Sequence, residues 1–151
     1  MTEGAPSTDA LLDQQVRDAD LDRWLSSRLV SDPQARADLI ALYAFEAELM
    51  AIPTRVTQPL LAEMRYTWWA EQMDGVFAGV PRKGHPVLEA LTDLVARHGL
   101  DRAPFDALID ATFGKAEASA TKRVRETARR RRSRLHWLFA DAETQAGPVA
   151  G

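Results

Sequence analysis

Apolar side chains recur at helical spacing along most of the chain, and no stretch shows the two-residue alternation of a half-buried strand. Residues 8–30 carry Leu11, Leu12, Val16, Leu21, Trp24, Leu25 and Leu29, enough for one or two short helices. The next stripe is Leu39, Leu42, Tyr43 and Leu49, and the one after it Leu61, Met64, Trp68 and Val76. Good helix formers dominate both stretches, and no glycine interrupts them before Gly75. Pro33 behind Ser31 or Asp32, and Pro59 behind Thr57, are start signals. Helices are therefore expected at about residues 33–51 and 59–78. Residues 52–58 form a connection short enough to make the two antiparallel neighbours. Pro53 is expected to end or kink the first of them. Residues 79–84 read as a turn. Pro86 then opens a helix that stops at Gly99, with Val87, Leu88, Leu91, Leu94 and Val95 as its buried stripe. A further helix starts near Ala103 and Pro104 and carries Phe105, Leu108 and Ile109. Residues 1–7 are small and polar and are expected to be disordered. The predicted fold class is all-α.

Composition changes this picture at one place. The chain is long enough for one domain with a hydrophobic core, and its 46% hydrophobic and 27% charged content is ordinary for a globular protein. Absence of cysteine excludes disulfides, thiolate catalysis and Cys-based zinc sites. No apolar run approaches bilayer-spanning length. The N-terminus lacks the basic-then-apolar order of a secretion signal, and Glu3 and Asp9 precede the first arginine, Arg17, which argues against a transit peptide. The expected location is cytoplasmic, with contact at a membrane surface as a further option. The net charge of −3 hides an asymmetry: residues 1–110 hold 10 Lys/Arg and 18 Asp/Glu, residues 111–151 hold 9 and 4.

Two phrases in the central helices carry a resemblance. Leu39-Ile40-Ala41-Leu42-Tyr43-Ala44-Phe45-Glu46-Ala47-Glu48-Leu49 is followed by Arg65-Tyr66-Thr67-Trp68-Trp69-Ala70-Glu71. With Arg23 in Asp20-Leu21-Asp22-Arg23-Trp24, His85-Pro86-Val87 and Pro104-Phe105-Asp106-Ala107-Leu108-Ile109-Asp110, they resemble the squalene/phytoene synthase family over roughly residues 16–111. The resemblance implies a helical isoprenoid-synthase-like fold, here partial and truncated after about residue 111. Active members condense two prenyl diphosphates using Mg²⁺. It further implies Tyr43, Arg65 and Trp69 as substrate-binding residues. Of Trp68 and Trp69, neighbours on one helix, one is expected in the core and the other on a cavity wall or partner surface. Arg65 is alternatively an ion-pair partner of Glu48 or Glu71.

Mg²⁺ prefers oxygen ligands, so a diphosphate site commonly presents carboxylates one helical turn apart. On the resemblance, the first aspartate-rich motif of the family falls on Met50, Ala51 and Thr54. Glu46 and Glu48, two apart, face different directions on a helix and make a poor replacement. The second motif has no counterpart in residues 111–151. The pattern is similar to the degenerate branch of the family that includes assembly factors for respiratory complex I. No catalytic residue, no metal ligand and no cofactor are expected, Mg²⁺ entering only if the chain is an active prenyltransferase after all. Asp18, Asp20 and Asp22 alternate as in a calcium loop but lack its glycine and closing glutamate. The pairs Glu71/Asp74, Glu89/Asp93 and Asp106/Asp110 are of the kind common on solvated helix faces. His85 reads as a cap and His98 as a structural residue at a helix C-terminus.

Residues 112–151 form a basic tail, helical in part or disordered. Lys122-Arg123-Val124-Arg125 and Arg129-Arg130-Arg131-Arg132-Ser133-Arg134 precede Leu135, Trp137, Leu138 and Phe139. Arg129, Arg130, Arg131, Arg132 and Trp137 are the candidate membrane-binding residues. An out-of-frame end of a GC-rich reading frame would give the same abrupt shift. Nucleic acid is the weakest candidate partner because the rest of the chain is acidic. An isoprenoid ligand, a protein partner and self-association complete the expectations, alongside a nonfunctional truncated product.

Overall fold

In the computed structural model, residues 4–145 are described, the side chains of residues 4–131 among them. The helices are α1 (Thr8–Ala19), α2 (Leu21–Ser27), α3 (Pro33–Arg55), α4 (Pro59–Ala78), α5 (Pro86–His98) and α6 (Ala103–Gln145). No strand occurs among the described residues, and the fold is all-α. The chain divides into two compact units, Met1–Phe113 and Gly114–Gly151. The first turns of α6 belong to the first unit and the rest of its described length to the second.

Local chemistry sets most of the helix starts. The Ser7 hydroxyl accepts from the Ala10 N–H at 3.2 Å, and the Asp20 carboxylate accepts from Arg23 N–H at 3.0 Å. Asp32 does the same for α3, accepting from Ala35 N–H at 2.7 Å. Before α5 the cap is His85, whose Nδ1 accepts from Leu88 N–H at 3.4 Å. α4 departs from expectation. Its cap position is Gln58, which makes no side-chain cap bond, so Thr57 lies one residue too early. Pro59 tolerates this because the first helical position needs no N–H.

The connection between α3 and α4 is also shorter than the sequence suggests, because α3 runs through Pro53 to Arg55. Proline supplies no N–H, so the Leu49 carbonyl four residues earlier loses its helical donor. The Tyr66 hydroxyl, reaching over from α4, donates to that carbonyl at 3.2 Å in a buried setting. The helix therefore survives its proline because the neighbouring helix fills the vacancy.

The core of the first unit is aromatic at its centre. Trp69 and Phe45 are each 1% exposed and meet edge to face, ring centroids 5.5 Å apart. Phe105 from the start of α6 reaches Phe45 at 5.9 Å and Phe77 at 5.5 Å, while Phe113 lies 5.3 Å from Tyr66. Leu88, Leu91 and Leu94 from α5 and Leu12 and Val16 from α1 are buried as well. On the outside, Leu60, Leu61 and Met64 of α4 remain exposed, as do Met50 and Leu29.

Glycine ends α4 and α5 in the same way. Gly79 and Gly99 are left-handed, with φ of 76° and 61°. The following amides, Val80 N–H and Leu100 N–H, return to the carbonyls of Gly75 at 2.9 Å and Val95 at 3.2 Å. The first return brings the Val80 carbonyl so close that a Cβ at residue 75 would lie 2.7 Å from its oxygen.

These contacts set the cost of three substitutions. Gly75→Ala should cost about 1–3 kcal/mol through overpacking against backbone that cannot swing away. Gly79→Ala meets no atom and carries only the left-handed backbone penalty of about 1–2 kcal/mol, and a Gly75→Ala chain as stable in urea as the wild type would refute the close contact. Tyr66→Phe should cost about 1–3 kcal/mol by orphaning the Leu49 carbonyl. In a Pro53→Ala background the restored amide serves that carbonyl, so the same change should cost about 1 kcal/mol less. Strict additivity in the double-mutant cycle would refute the link.

Candidate functional site

A cleft of about 460 Å³ opens where the α1–α2 junction meets α3. Asp20 caps α2, which places Arg23 in its first turn and aims the guanidinium at α3. There Arg23 grips both oxygens of Glu46, Nη2 lying 3.1 Å from Oε1, and lies over the Tyr43 ring at 5.2 Å. Asp20 adds an ion pair to Arg23 at 3.4 Å. Glu46 raises the pKa of Arg23 further above its already high value, chiefly through the hydrogen bond. Farther along the wall are Met50, Ala51 and Thr54, the positions that the resemblance assigns to the first aspartate-rich motif. The Thr54 hydroxyl is turned back to the Ala51 carbonyl at 2.8 Å.

This donor set does not suit Mg²⁺ with a diphosphate. That ion wants near-octahedral oxygen ligation from free carboxylates, phosphates and water. Here both Glu46 oxygens are held by Arg23, Asp20 caps a helix, and the next turn of α3 offers a thioether, a methyl group and an internally bonded hydroxyl. Among the described residues, no three His, Asp or Glu side chains group to hold a metal ion.

Tyr43 and Glu46 also border a second, more apolar groove of about 540 Å³. Leu39, Leu42 and Phe45 of α3 form one wall; Leu100, Pro104, Phe105 and Leu108, from the turn after α5 and the start of α6, form the other. Helical periodicity identifies each stripe but cannot say that Leu39 and Leu100 face one another. The groove therefore left no signal in the sequence.

Of the three residues that the resemblance assigns to substrate binding, Tyr43 alone lies on the cleft. Trp69 is packed in the core, its ring 5.4 Å from His85, and Trp68 beside it is half-buried. Arg65 is exposed on α4, over the Trp68 ring at 5.0 Å, without an ion pair to Glu48 or Glu71. Glu48 instead accepts from Gln15 at 2.6 Å and Arg55 at 3.3 Å. Of the paired carboxylates, Asp74 and Asp106 both bind Arg102, and Glu89 accepts from Gly84 N–H at 2.8 Å. Asp20 and Asp22 begin α2 rather than forming a loop, and Asp18 accepts from Gln14. Arg129, Arg130 and Arg131 are exposed on α6, with Arg130 3.1 Å from Glu126. The side chains of Arg132 and Trp137 lie outside the described residues.

Two polar clusters had no signal in the spacing. Asp38, on α3, takes hydrogen bonds from Arg97 and His98 at the end of α5. Burial pushes its pKa up, but those bonds outweigh it and hold the carboxyl below its ordinary range. Near the N-terminus, the guanidinium groups of Arg17 and Arg28 both lie over the Trp24 ring, at 5.0 and 4.6 Å, and Trp24 donates its indole N–H to Asp13.

A helical unit with an aromatic centre, an arginine-bearing cleft and an adjoining apolar groove is the frame in which the known relatives can be placed. The squalene/phytoene synthase family model matches residues 16–134, and the chain belongs to that family. The match runs on past residue 111, where the quoted motifs end, and takes in the basic cluster. Among curated proteins, the chain is similar to "NADH dehydrogenase (ubiquinone) complex I, assembly factor 6" of Bos taurus, 28% identical over 123 residues. The Homo sapiens protein of the same name is 25% identical over 123 residues. In both cases the alignment takes in 82% of this chain and 36% of the relative, so the chain spans little more than a third of their length. No solved structure matches the chain. No helix among the described residues is long and apolar enough to cross a membrane.

His85 provides a pH test of this architecture. Burial lowers its pKa, against an opposing pull from Glu48, so the neutral cap is the folded form. Below the unfolded value of about 6.5 the unfolded chain binds more protons at this site than the folded one. Stability contributed by His85 is therefore complete above that value and declines as pH falls below it. The melting temperature should drop between pH 7 and 5.5, and His85→Asn, which keeps a capping acceptor, should make that slope shallower. An unchanged slope would separate His85 from the pH response.

Proposed function

We propose that this chain is a non-catalytic member of the squalene/phytoene synthase family that binds an isoprenoid chain and acts with a protein partner, in the manner of an assembly factor. One observation carries the reading. The cleft wall presents Met50, Ala51 and Thr54 where diphosphate chemistry calls for carboxylates, and the nearby Glu46 is committed to Arg23. Without metal-held phosphates the departing diphosphate lacks the charge stabilisation that Mg²⁺ supplies. The apolar groove beside Tyr43 needs no metal to accept a hydrocarbon chain, since its leucine, proline and phenylalanine walls favour apolar surface. The names of the two curated relatives support a role in assembling another protein.

The test has two readouts. Purified protein with Mg²⁺ should not consume farnesyl or geranylgeranyl diphosphate; turnover abolished by Glu46→Gln would instead make it a prenyltransferase with an alternative metal site. A fluorescent prenyl alcohol should bind with or without Mg²⁺. Leu108→Glu, which puts a charge into the groove wall, should weaken that binding at least about tenfold. Equal affinity in wild type and variant would remove the groove as the ligand site.

A further inference from the structure

The apolar groove beside Tyr43 meets polar side chains only at its rim, and their charge is one-sided. Glu46 and Asp101 border it, and no Lys, Arg or His does so among the described residues. The basic side chains adjoining it in the chain are committed elsewhere. Arg97 and His98, just before Gly99, bind Asp38, and Arg102, just after Asp101, binds Asp74 and Asp106. Arg23 meets Glu46 from the cleft side through paired hydrogen bonds. Asp101 is exposed, and its carboxylate has no ion pair or hydrogen bond among the described residues. The charge left over at the rim is therefore negative.

The groove also abuts the N-terminus of α6, where free amides would attract an anion. Little of that attraction is available. Pro104 has no N–H, and the Phe105 and Asp106 amides both turn back to the Arg102 carbonyl, at 2.9 and 3.2 Å. The remaining polar group is Tyr43, half-buried, whose hydroxyl makes no hydrogen bond among the described residues and can give or take one.

We infer that the groove accepts an isoprenoid alcohol and rejects the same chain carrying a phosphate. A hydroxyl head can donate to the Asp101 carboxylate or exchange a hydrogen bond with Tyr43, while the chain lies against Leu39, Leu42 and Leu108. A phosphate head would enter beside an unmatched carboxylate, give up hydration, and find neither a free cation nor a row of amides to receive it. Leucine walls do not choose between the two heads, so the selectivity comes from the rim. The inference rests on the groove being the isoprenoid site, and adds which head that isoprenoid bears.

The experiment is displacement of the fluorescent prenyl alcohol from the full chain by farnesol and by farnesyl monophosphate, at low salt with a chelator in place of Mg²⁺. Farnesol should displace the probe at a concentration at least about tenfold lower than the monophosphate does. Asp101→Asn removes the unmatched charge and should narrow that ratio about fivefold, and Asp101→Lys should narrow it further. Circular dichroism checks that both variants fold. Equal or tighter binding of the monophosphate by the wild type would overturn this inference and leave the isoprenoid groove standing. So would a ratio that neither Asp101 variant moves. A chain that binds neither the probe nor farnesol would remove the groove as a ligand site, and the inference with it.

Discussion

The indole of Trp69 is buried in the first unit, and it ties α4 to two other helices. Its ring meets Phe45 from α3 edge to face and His85 at the start of α5, and Phe105 from α6 packs in turn against Phe45. Aromatic pairs of this geometry add to area burial, and a side chain this large, left exposed, would cost more than any cap or ion pair seen here. The caps, the left-handed glycines and the Asp38 cluster then serve to bring the ends of α3, α4 and α5 to positions that let those rings meet. His85 has both duties, capping α5 and covering Trp69, which is why its protonation is opposed by burial.

Much of this was legible in the chain. Pro33, Pro59 and Pro86 each open a helix, and Gly79 and Gly99 each close one, because these residues act through their own φ angles and need no distant partner. The buried stripe of α5 was readable for a similar reason: its apolar period is strong and short-range. The miss at Pro53 has the opposite cause. Proline's local effect argued for the end of α3, and the compensation comes from Tyr66, on another helix, which periodicity does not reveal. The apolar groove belongs to the same class, being built from α3 and the turn after α5. The resemblance named Tyr43, Arg65 and Trp69 together, but could not say that Tyr43 borders the cleft while Trp69 turns inward and Arg65 lies over Trp68.

The cleft differs from a phosphate-binding site in electrostatics as well as in ligands. An arginine facing an open cleft is a ready partner for a diphosphate, but Arg23 meets Glu46 through paired hydrogen bonds and has Asp20 nearby. A phosphate arriving there would have to displace a carboxylate already in place, and the net gain is small. The presence of Met50, Ala51 and Thr54 on the cleft wall and the pairing of Arg23 with Glu46 thus point the same way. The neighbouring groove, whose attraction is hydrophobic, depends on neither.

The hydrogen bond from Tyr66 to Leu49 has a meaning beyond the energy it supplies. A proline offers a vacancy at one carbonyl and nowhere else along the helix, and a phenol fills it only from one height on the neighbouring helix. Sliding α4 along α3 by a single turn, about 5.4 Å, would leave that carbonyl dry and unpartnered while moving the hydroxyl into apolar surroundings. Leucine and alanine surfaces tolerate such slips well, since one methyl group resembles the next. The pairing of a missing donor with a single hydroxyl therefore works as a notch and pin, selecting one register from several that the greasy faces of the hairpin would accept.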